Sequence, residues 1–199
     1  MLFRSARFYD RVHAVPVGLH AVERNRRLAA AALGYAAGGA ADYGLRAEGP
    51  STVTTRSPYA LFFTMTSRED KLWPEEHWRA LGAGFGRRGV QVVLPWGTEE
   101  ERSRCARIAS AVAGALVPPR LPIAELARLA KGARCVVGVD TGLAHLAVAV
   151  GAPVVGLYSG SDPELTGLHG GERLRNLGAA GRVPSVAEAE AALQAMGCA

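Results

Sequence analysis

The chain has 199 residues and only three cysteines, and their spacing argues against a disulfide framework and against a zinc site. Cys105, Cys135 and Cys198 lie far apart, without a Cys-x-x-Cys pair. A disulfide framework or a zinc site would need more cysteines at closer spacing. The three thiols are therefore predicted to be small buried hydrophobes in a reducing cytoplasm.

Long apolar runs and targeting signals are also missing. No stretch of about 18 uninterrupted apolar residues occurs, so we expect no membrane-spanning helix. Residues 1–7 lack the apolar core of a signal peptide. With 49% hydrophobic and 21% charged residues, the sequence predicts a globular chain of one or two domains, long enough for a real core.

Positive charge is concentrated in the N-terminal part. Residues 1–58 hold eight arginines and four acidic residues, which accounts for +4 of the net charge of +5. An anionic partner such as a phosphorylated lipid headgroup or a membrane face fits this excess, and so does a solvated arginine-rich surface. Nucleic acid is not expected, because no aromatic residues are interleaved with the arginines as stacking platforms.

Residues 1–58 are predicted to form a segment that cannot fold alone. Residues 20–35 are rich in Ala and Leu and predict a helix that stops at Gly34, and residues 48–52 predict a linker. One helix cannot bury the apolar residues that precede it, so the segment should pack on the following domain or on a portion outside this chain. These residues are Phe8, Tyr9, Val12, Val15 and Val17.

Residues 59–199 alternate between short apolar runs and longer amphipathic stretches. Strands are predicted at residues 59–64, 90–94, 115–117, 133–137 and 154–158. Helices are predicted to begin near Pro74, at a capping box of Thr98 and Glu101, near Pro122 and after residues 140–142. This alternation predicts a doubly wound parallel sheet of the α/β class.

Four loops should surround one crevice, because ligands bind such sheets at the carboxyl ends of the strands. These loops are residues 66–71, 96–99, 119–121 and 140–145. The last loop opens a helix whose free N–H groups favour an anion. His145 lies four residues after Thr141, so it can face the same ligand.

The polar residues of these loops suit a nucleoside-diphosphate sugar. No Gly-x-Gly-x-x-Gly follows the first strand and no Walker lysine motif occurs, which argues against a dinucleotide dehydrogenase and a P-loop NTPase. Each residue is also compatible with a structural role, such as a helix cap for Asp140 or Thr141 and a surface charge for Lys71. The candidate donors to a diphosphate are Thr66, Ser67, Lys71, Thr141 and Gly142, and the candidate acceptors for sugar hydroxyls are Glu99 and Asp140.

Five stretches of the sequence resemble glycosyltransferase family 9, the ADP-heptose glycosyltransferases. They are residues 20–24, 66–78, 94–97, 139–145 and 161–167, which together span most of residues 6–171. The stretches that begin at residues 66 and 139 mark the wider family. The His-Ala-Val-Glu-Arg box and the Asp-Pro-Glu-Leu-Thr-Gly segment resemble the heptosyltransferase I branch more than the heptosyltransferase II branch.

The resemblance implies a GT-B fold of two Rossmann-like domains. Residues 59–199 would be the C-terminal donor-binding domain, and residues 1–58 a remnant of the N-terminal acceptor domain plus linker. It implies transfer of L-glycero-D-manno-heptose from ADP-heptose to the Kdo region of lipid A, with inversion and with no metal or other cofactor. The enzyme would be cytoplasmic and peripheral on the inner face of the inner membrane.

The resemblance also assigns site residues. The expected donor-binding residues are Thr66, Ser67, Lys71, Glu99, Leu121, Asp140, Thr141, Gly142 and His145, with Leu121 near the adenine. The family's general base lies in a part of the acceptor domain that has no match here, so the chain alone is expected to be inactive and Met1 to be an internal start or a gene boundary. The alternatives are a family member with another nucleotide sugar, and a non-catalytic nucleotide-sugar-binding domain.

Overall fold

A five-stranded parallel sheet forms the centre of the computed structural model, which describes residues 8–56 and 58–198. Its strands are β1 (Tyr59–Phe63), β2 (Gln91–Val93), β3 (Cys135–Val139), β4 (Val154–Tyr158) and β5 (Leu174–Gly178). The strand order is β2-β1-β3-β4-β5, and every neighbouring pair is parallel. The predicted α/β class with a Rossmann-like parallel sheet is confirmed.

Seven helices surround the sheet within the described ranges. They are α1 (Ala21–Leu33), α2 (Glu75–Arg87), α3 (Glu99–Ala109), α4 (Ile123–Gly132), α5 (Gly142–Ala149), α6 (Pro163–Thr166) and α7 (Val186–Ala195). A single 3₁₀ turn, Glu69–Lys71, follows β1. The helix starts follow the predicted signals, and the capping box of Thr98 and Glu101 is present at α3. Helix α1 ends at Gly34, whose φ of 76° suits glycine.

The strand predicted at residues 115–117 is wrong. This stretch makes only an isolated parallel bridge, between Leu116 and Val93. Pro118 and Pro119 follow it directly, and since proline has no backbone N–H the ladder cannot continue through them. Strand β5 and helix α7 lie beyond the last predicted element; Ser185 and Glu188 form a capping box at α7, which is the sequence signal for the start of this helix.

Alternating residues of the strands fill two hydrophobic layers, one on each face of the sheet. Ala60 and Phe62 of β1 pack in a layer with Trp73 and the residues of α2, α3 and α7. Leu61 and Phe63 point the other way, into the layer that α4 and α5 cover. Because both faces are buried, the strands read as continuous apolar runs, and polar loops are confined to the strand ends.

The segment before the sheet contacts the rest of the chain near α6, at α4 and beside β2, where the Arg56 N–H donates to the side-chain oxygen of Gln91 over 2.7 Å. Near α6, the ring of His20 stacks on that of His169, with 4.6 Å between centroids, and the Tyr43 hydroxyl donates to the backbone oxygen of His169 over 2.7 Å. At α4, the Lys131 ammonium donates to the backbone oxygen of Ala47 over 2.9 Å. Phe8, like Tyr9, Val12 and Val17, nevertheless stays exposed. The domain boundary after residue 58 stays a prediction.

Glu125 fixes the end of this segment to α4. Its carboxylate is buried and accepts hydrogen bonds from the Ser51 hydroxyl and the Thr52 N–H, both over 2.5 Å, and from the Arg128 guanidinium over 3.0 Å. The Ser51 hydrogen bond is the largest of the effects that lower the pKa of Glu125 from 4.5 to about 2.

Neither residues 8–56 nor residues 58–198 contain a helix of the length and apolarity needed to cross a membrane.

We expect Glu125→Gln to lower the free energy of unfolding at pH 7 by roughly 1–3 kcal/mol, because it breaks buried hydrogen bonds to a charged acceptor. A depressed carboxyl pKa contributes stability above the unfolded-state value, and this contribution is lost as the pH falls from about 4.5 towards 2. The gap between wild type and variant should therefore shrink over that window. Chemical denaturation at several pH values measures it.

Glu172→Gln, in the exposed loop between α6 and β5, is the matched control and should change the free energy of unfolding at pH 7 by less than about 0.5 kcal/mol. A gap between wild type and Glu125→Gln that stays constant from pH 7 to pH 3 would contradict the role given to the Glu125 carboxylate.

Candidate functional site

The carboxyl ends of β1, β2 and β3 surround a cavity of about 390 Å³. Strand β1 lies between the other two strands, so the loops that follow all three strands meet at one edge of the sheet. The loop before α4 closes one side. The polar and apolar residues that line the cavity include Thr64, Met65, Thr66, Ser67, Pro95, Trp96, Gly97, Glu101, Arg120, Leu121 and Thr141.

An ion pair between Lys71 and Asp140 joins the loop after β1 to the loop after β3. The Lys71 ammonium donates to Asp140 Oδ2 over 2.7 Å, and the two side chains are only 18% and 10% exposed. The Ser161 hydroxyl donates to the same oxygen over 2.5 Å, and the Thr66 hydroxyl donates to the backbone oxygen of Asp140 over 3.0 Å. The alternative in which Lys71 is only a surface charge is therefore wrong.

Helix α5 begins without a side-chain cap. Thr141 occupies the N-cap position, but its hydroxyl accepts no hydrogen bond from the backbone of the first turn, and the Asp140 carboxylate is held by Lys71 and Ser161 instead. Gly142 is exposed, and a Cβ built on it would meet nothing within 4 Å. The Gly142 position is thus open, and the first N–H groups of a helix, which lack partners within the helix, can bind an anion.

His145 lies on α5, and both charges of the ion pair affect the pKa of its imidazole. Burial lowers the pKa of its imidazole below 6.5, the negative charge of Asp140 opposes that effect, and the positive charges of His20 and Lys71 add to it. The side chain is half-buried and does not line the cavity. The prediction that His145 faces the donor stays a prediction.

Glu99 does not line the cavity. Its carboxylate pairs with Arg102 over 3.2 Å on the outside of α3, and the side chain is 75% exposed. Glu101 lines the cavity in its place, but that carboxylate is already bound to the backbone N–H of Gly97 over 2.6 Å. Leu121 lines the cavity as expected, beside Arg120.

Three residues outside the predicted set also lie at this edge. Ser161 lies three residues after the end of β4, and its place in a loop after a strand is the sequence signal that could identify it. Trp96 and Arg120 lie in two of the loops predicted to surround the crevice, and both line the cavity. Trp96 is oriented by a hydrogen bond from its indole N–H to the backbone oxygen of Pro118 over 2.7 Å.

The family model for glycosyltransferase family 9 (heptosyltransferase) matches residues 3–193. The chain belongs to glycosyltransferase family 9. Its curated relatives include lipopolysaccharide heptosyltransferase 1 of Pseudomonas aeruginosa, 42% identical over 167 residues, and the enzyme of the same name from Escherichia coli K12, 40% identical over 165 residues. These matches cover 83% and 82% of this chain but 47% and 52% of the relatives, so this family 9 chain spans about half their length.

Solved structures of family 9 heptosyltransferases have the same fold. The E. coli heptosyltransferase WaaC with ADP superposes with a TM-score of 0.79 at 36% identity, over 97% of this chain and 61% of that one. The E. coli ADP-heptose lps heptosyltransferase II superposes with a TM-score of 0.61 over 73% of this chain and 48% of that one, and at 22% identity it supports the fold alone.

The charges around His145 give a test of the site geometry that needs no ligand. We expect Asp140→Asn to lower the imidazole pKa of His145 further, because the variant removes the nearby negative charge that raises it. Lys71→Met should raise the pKa of His145, because it removes a nearby positive charge. NMR titration of the imidazole protons measures both shifts.

His145→Gln identifies the resonance, and Lys131→Met, which removes the ammonium that binds Ala47, is the control. A His145 pKa that is the same in wild type, Asp140→Asn and Lys71→Met would place His145 away from the ion pair and contradict the described geometry.

Proposed function

We propose that this chain forms the donor site of a heptosyltransferase that transfers L-glycero-D-manno-heptose from ADP-heptose to the Kdo region of lipid A, in the assembly of the lipopolysaccharide inner core. The family and the two curated relatives support the reaction class. Since the chain spans about half the length of these relatives, the transfer is proposed for the whole protein, and donor binding for the part described here.

The Lys71–Asp140 pair beside the uncapped start of α5 is the observation that carries this proposal. A diphosphate at the α5 N-terminus would accept hydrogen bonds from backbone N–H groups and from the hydroxyls of Thr66 and Ser67. The Lys71 ammonium lies within reach of the same place and would add a charged hydrogen bond. The E. coli heptosyltransferase WaaC has been solved with ADP and with ADP-2-deoxy-2-fluoro heptose, which is consistent with such a ligand.

The rest of the cavity suits the two ends of a nucleotide sugar. Leu121, Pro95 and Trp96 offer an apolar wall for the adenine ring, with Arg120 at its rim. Asp140 directly follows β3 and precedes Thr141, which lines the cavity, and its carboxylate is proposed to accept from sugar hydroxyls. Inverting transfer leaves negative charge on the departing diphosphate, and donors already in place at Lys71 and α5 would stabilise that charge.

The acceptor and the membrane surface are proposed to lie on the side of the N-terminal segment. That segment carries +4 of the net charge and exposes Phe8, Val12 and Val17. Anionic lipid attracts positive charge, and its interface accepts apolar side chains. The protein would thus act in the cytoplasm, peripheral on the inner face of the inner membrane.

We expect Lys71→Ala to weaken ADP binding about tenfold, because the variant removes a charged donor to phosphate and leaves the Asp140 carboxylate unneutralised beside the diphosphate. Isothermal titration calorimetry on the purified chain measures it. Lys131→Ala is the matched control, since Lys131 is the other lysine of the chain and binds Ala47, away from the cavity. Equal ADP affinity in wild type and Lys71→Ala would exclude Lys71 as a phosphate ligand.

We expect Gly142→Ala to leave the free energy of unfolding within about 1 kcal/mol of wild type, because the new methyl group meets open space in the free protein. It should weaken ADP binding about fivefold or more, roughly 1 kcal/mol, since the methyl group occupies the approach to the α5 N-terminus. Thr141→Val, which removes the hydroxyl and keeps the shape, should also lower affinity more than stability.

Gly86→Ala in α2 is the control, because its added Cβ makes only an ordinary contact, 3.6 Å from the backbone oxygen of Ala113 and far from the cavity. Thermal melting and ADP titration on the same proteins decide the matter. A large loss of stability in Gly142→Ala with unchanged ADP affinity would show that the turn at residues 140–142 has only a structural role.

A further inference from the structure

Ser161 and Lys71 bind the same oxygen of Asp140 from two different loops. Lys71 reaches Oδ2 from the 3₁₀ turn after β1, and Ser161 reaches it from the loop after β4. The hydrogen bonds that the described residues make to this carboxylate all end on Oδ2. Oδ1 is therefore left to accept a hydrogen bond from a ligand.

Ser161 becomes more important once a diphosphate is bound. In the proposed function the Lys71 ammonium donates to phosphate, which weakens its hold on Asp140. The Asp140 side chain is only 10% exposed, so water cannot replace the lost donor freely. Ser161 is then the remaining donor among the described residues that fixes the rotation of the carboxylate, through a short hydrogen bond to a charged acceptor.

The loop that carries Ser161 is held on both sides. The backbone oxygen of Ser159 accepts from the N–H of Gly181 over 2.7 Å, and the Asp162 carboxylate accepts from the N–H of Glu164 over 2.9 Å as it caps α6. The loop also lies directly against the turn that carries Lys71, because a Cβ built on Gly160 would be 2.8 Å from the backbone oxygen of Asp70. A loop held in this way keeps the Ser161 hydroxyl in one place, so its hydrogen bond can fix the orientation of the Asp140 carboxylate.

We propose that Ser161 is a positioning residue that holds the Asp140 carboxylate with Oδ1 directed at the sugar of the bound donor, and so determines how much more tightly the site binds the nucleotide sugar than ADP alone. The inference rests on the proposed function, whose diphosphate subsite it leaves unchanged. Its signature is a change in the ratio of two affinities, which a general loss of structure would not produce.

The experiment compares ADP with ADP-L-glycero-D-manno-heptose by calorimetry on the full chain. Ser161→Ala should weaken ADP binding only about threefold, because Asp140 is held less well once Lys71 turns to phosphate, and should weaken nucleotide-sugar binding by about a further tenfold, because only the sugar binds the oriented carboxylate. Ser161→Thr keeps the hydroxyl and should restore most of the affinity. If Ser161→Ala does not fold, Ser161→Cys, similar in size and a much weaker donor, should give the same change in the ratio.

Ser159→Ala is the matched control in the same loop. The Ser159 hydroxyl is buried and has no hydrogen-bond partner among the described residues, so its removal should leave both affinities unchanged. An equal ratio in wild type and Ser161→Ala, with ADP still bound, would overturn the role of Ser161 and leave the proposed function intact. Failure of wild type to bind ADP at all would overturn the proposed function, and this inference with it.

Discussion

Burial of the parallel sheet on both faces constrains every other feature of this chain. Strands β1, β3 and β4 are buried along their whole length and carry apolar residues, glycine, and two tyrosines at strand ends, Tyr59 and Tyr158, whose hydroxyls are hydrogen-bonded. Polar residues become possible where a strand ends and its last backbone groups need partners. The Lys71–Asp140 pair lies at this edge, partly shielded from water, where an ion pair interacts more strongly than on an open surface.

The local chemistry of the site could be predicted because each piece is encoded in a short stretch. The apolar run before Asp140, the glycine after Thr141 and the helix that follows predict a strand, a turn and an open helix N-terminus, and the structure contains all three. The contact between Lys71 and Asp140 joins residues 69 apart. It depends on β1 and β3 being neighbours, and periodicity does not specify the order of strands in a sheet.

The sequence does not show which of two glutamates at the start of α3 lines the cavity. Glu99 and Glu101 both lie in the first turn of α3, and side chains two positions apart on a helix point in different directions. The capping box holds Glu101 towards Gly97 and the cavity, while Glu99 turns to Arg102. Ser161 has a weaker sequence signal: its place after β4 makes it a candidate, but a serine in a loop has many structural roles, and its hydrogen bond to Asp140 is visible only in the folded chain.

The ion pair also bears on how tightly the proposed donor site can hold its ligand. A lysine without a partner would gain the full energy of a new charged hydrogen bond when phosphate arrives. Lys71 already donates to Asp140, so binding exchanges one anionic partner for another, and the net gain is smaller. A transferase must release its nucleotide product after each reaction. An exchange of partners at Lys71, with Ser161 retaining Asp140, would let one site bind a diphosphate selectively without holding the product too long.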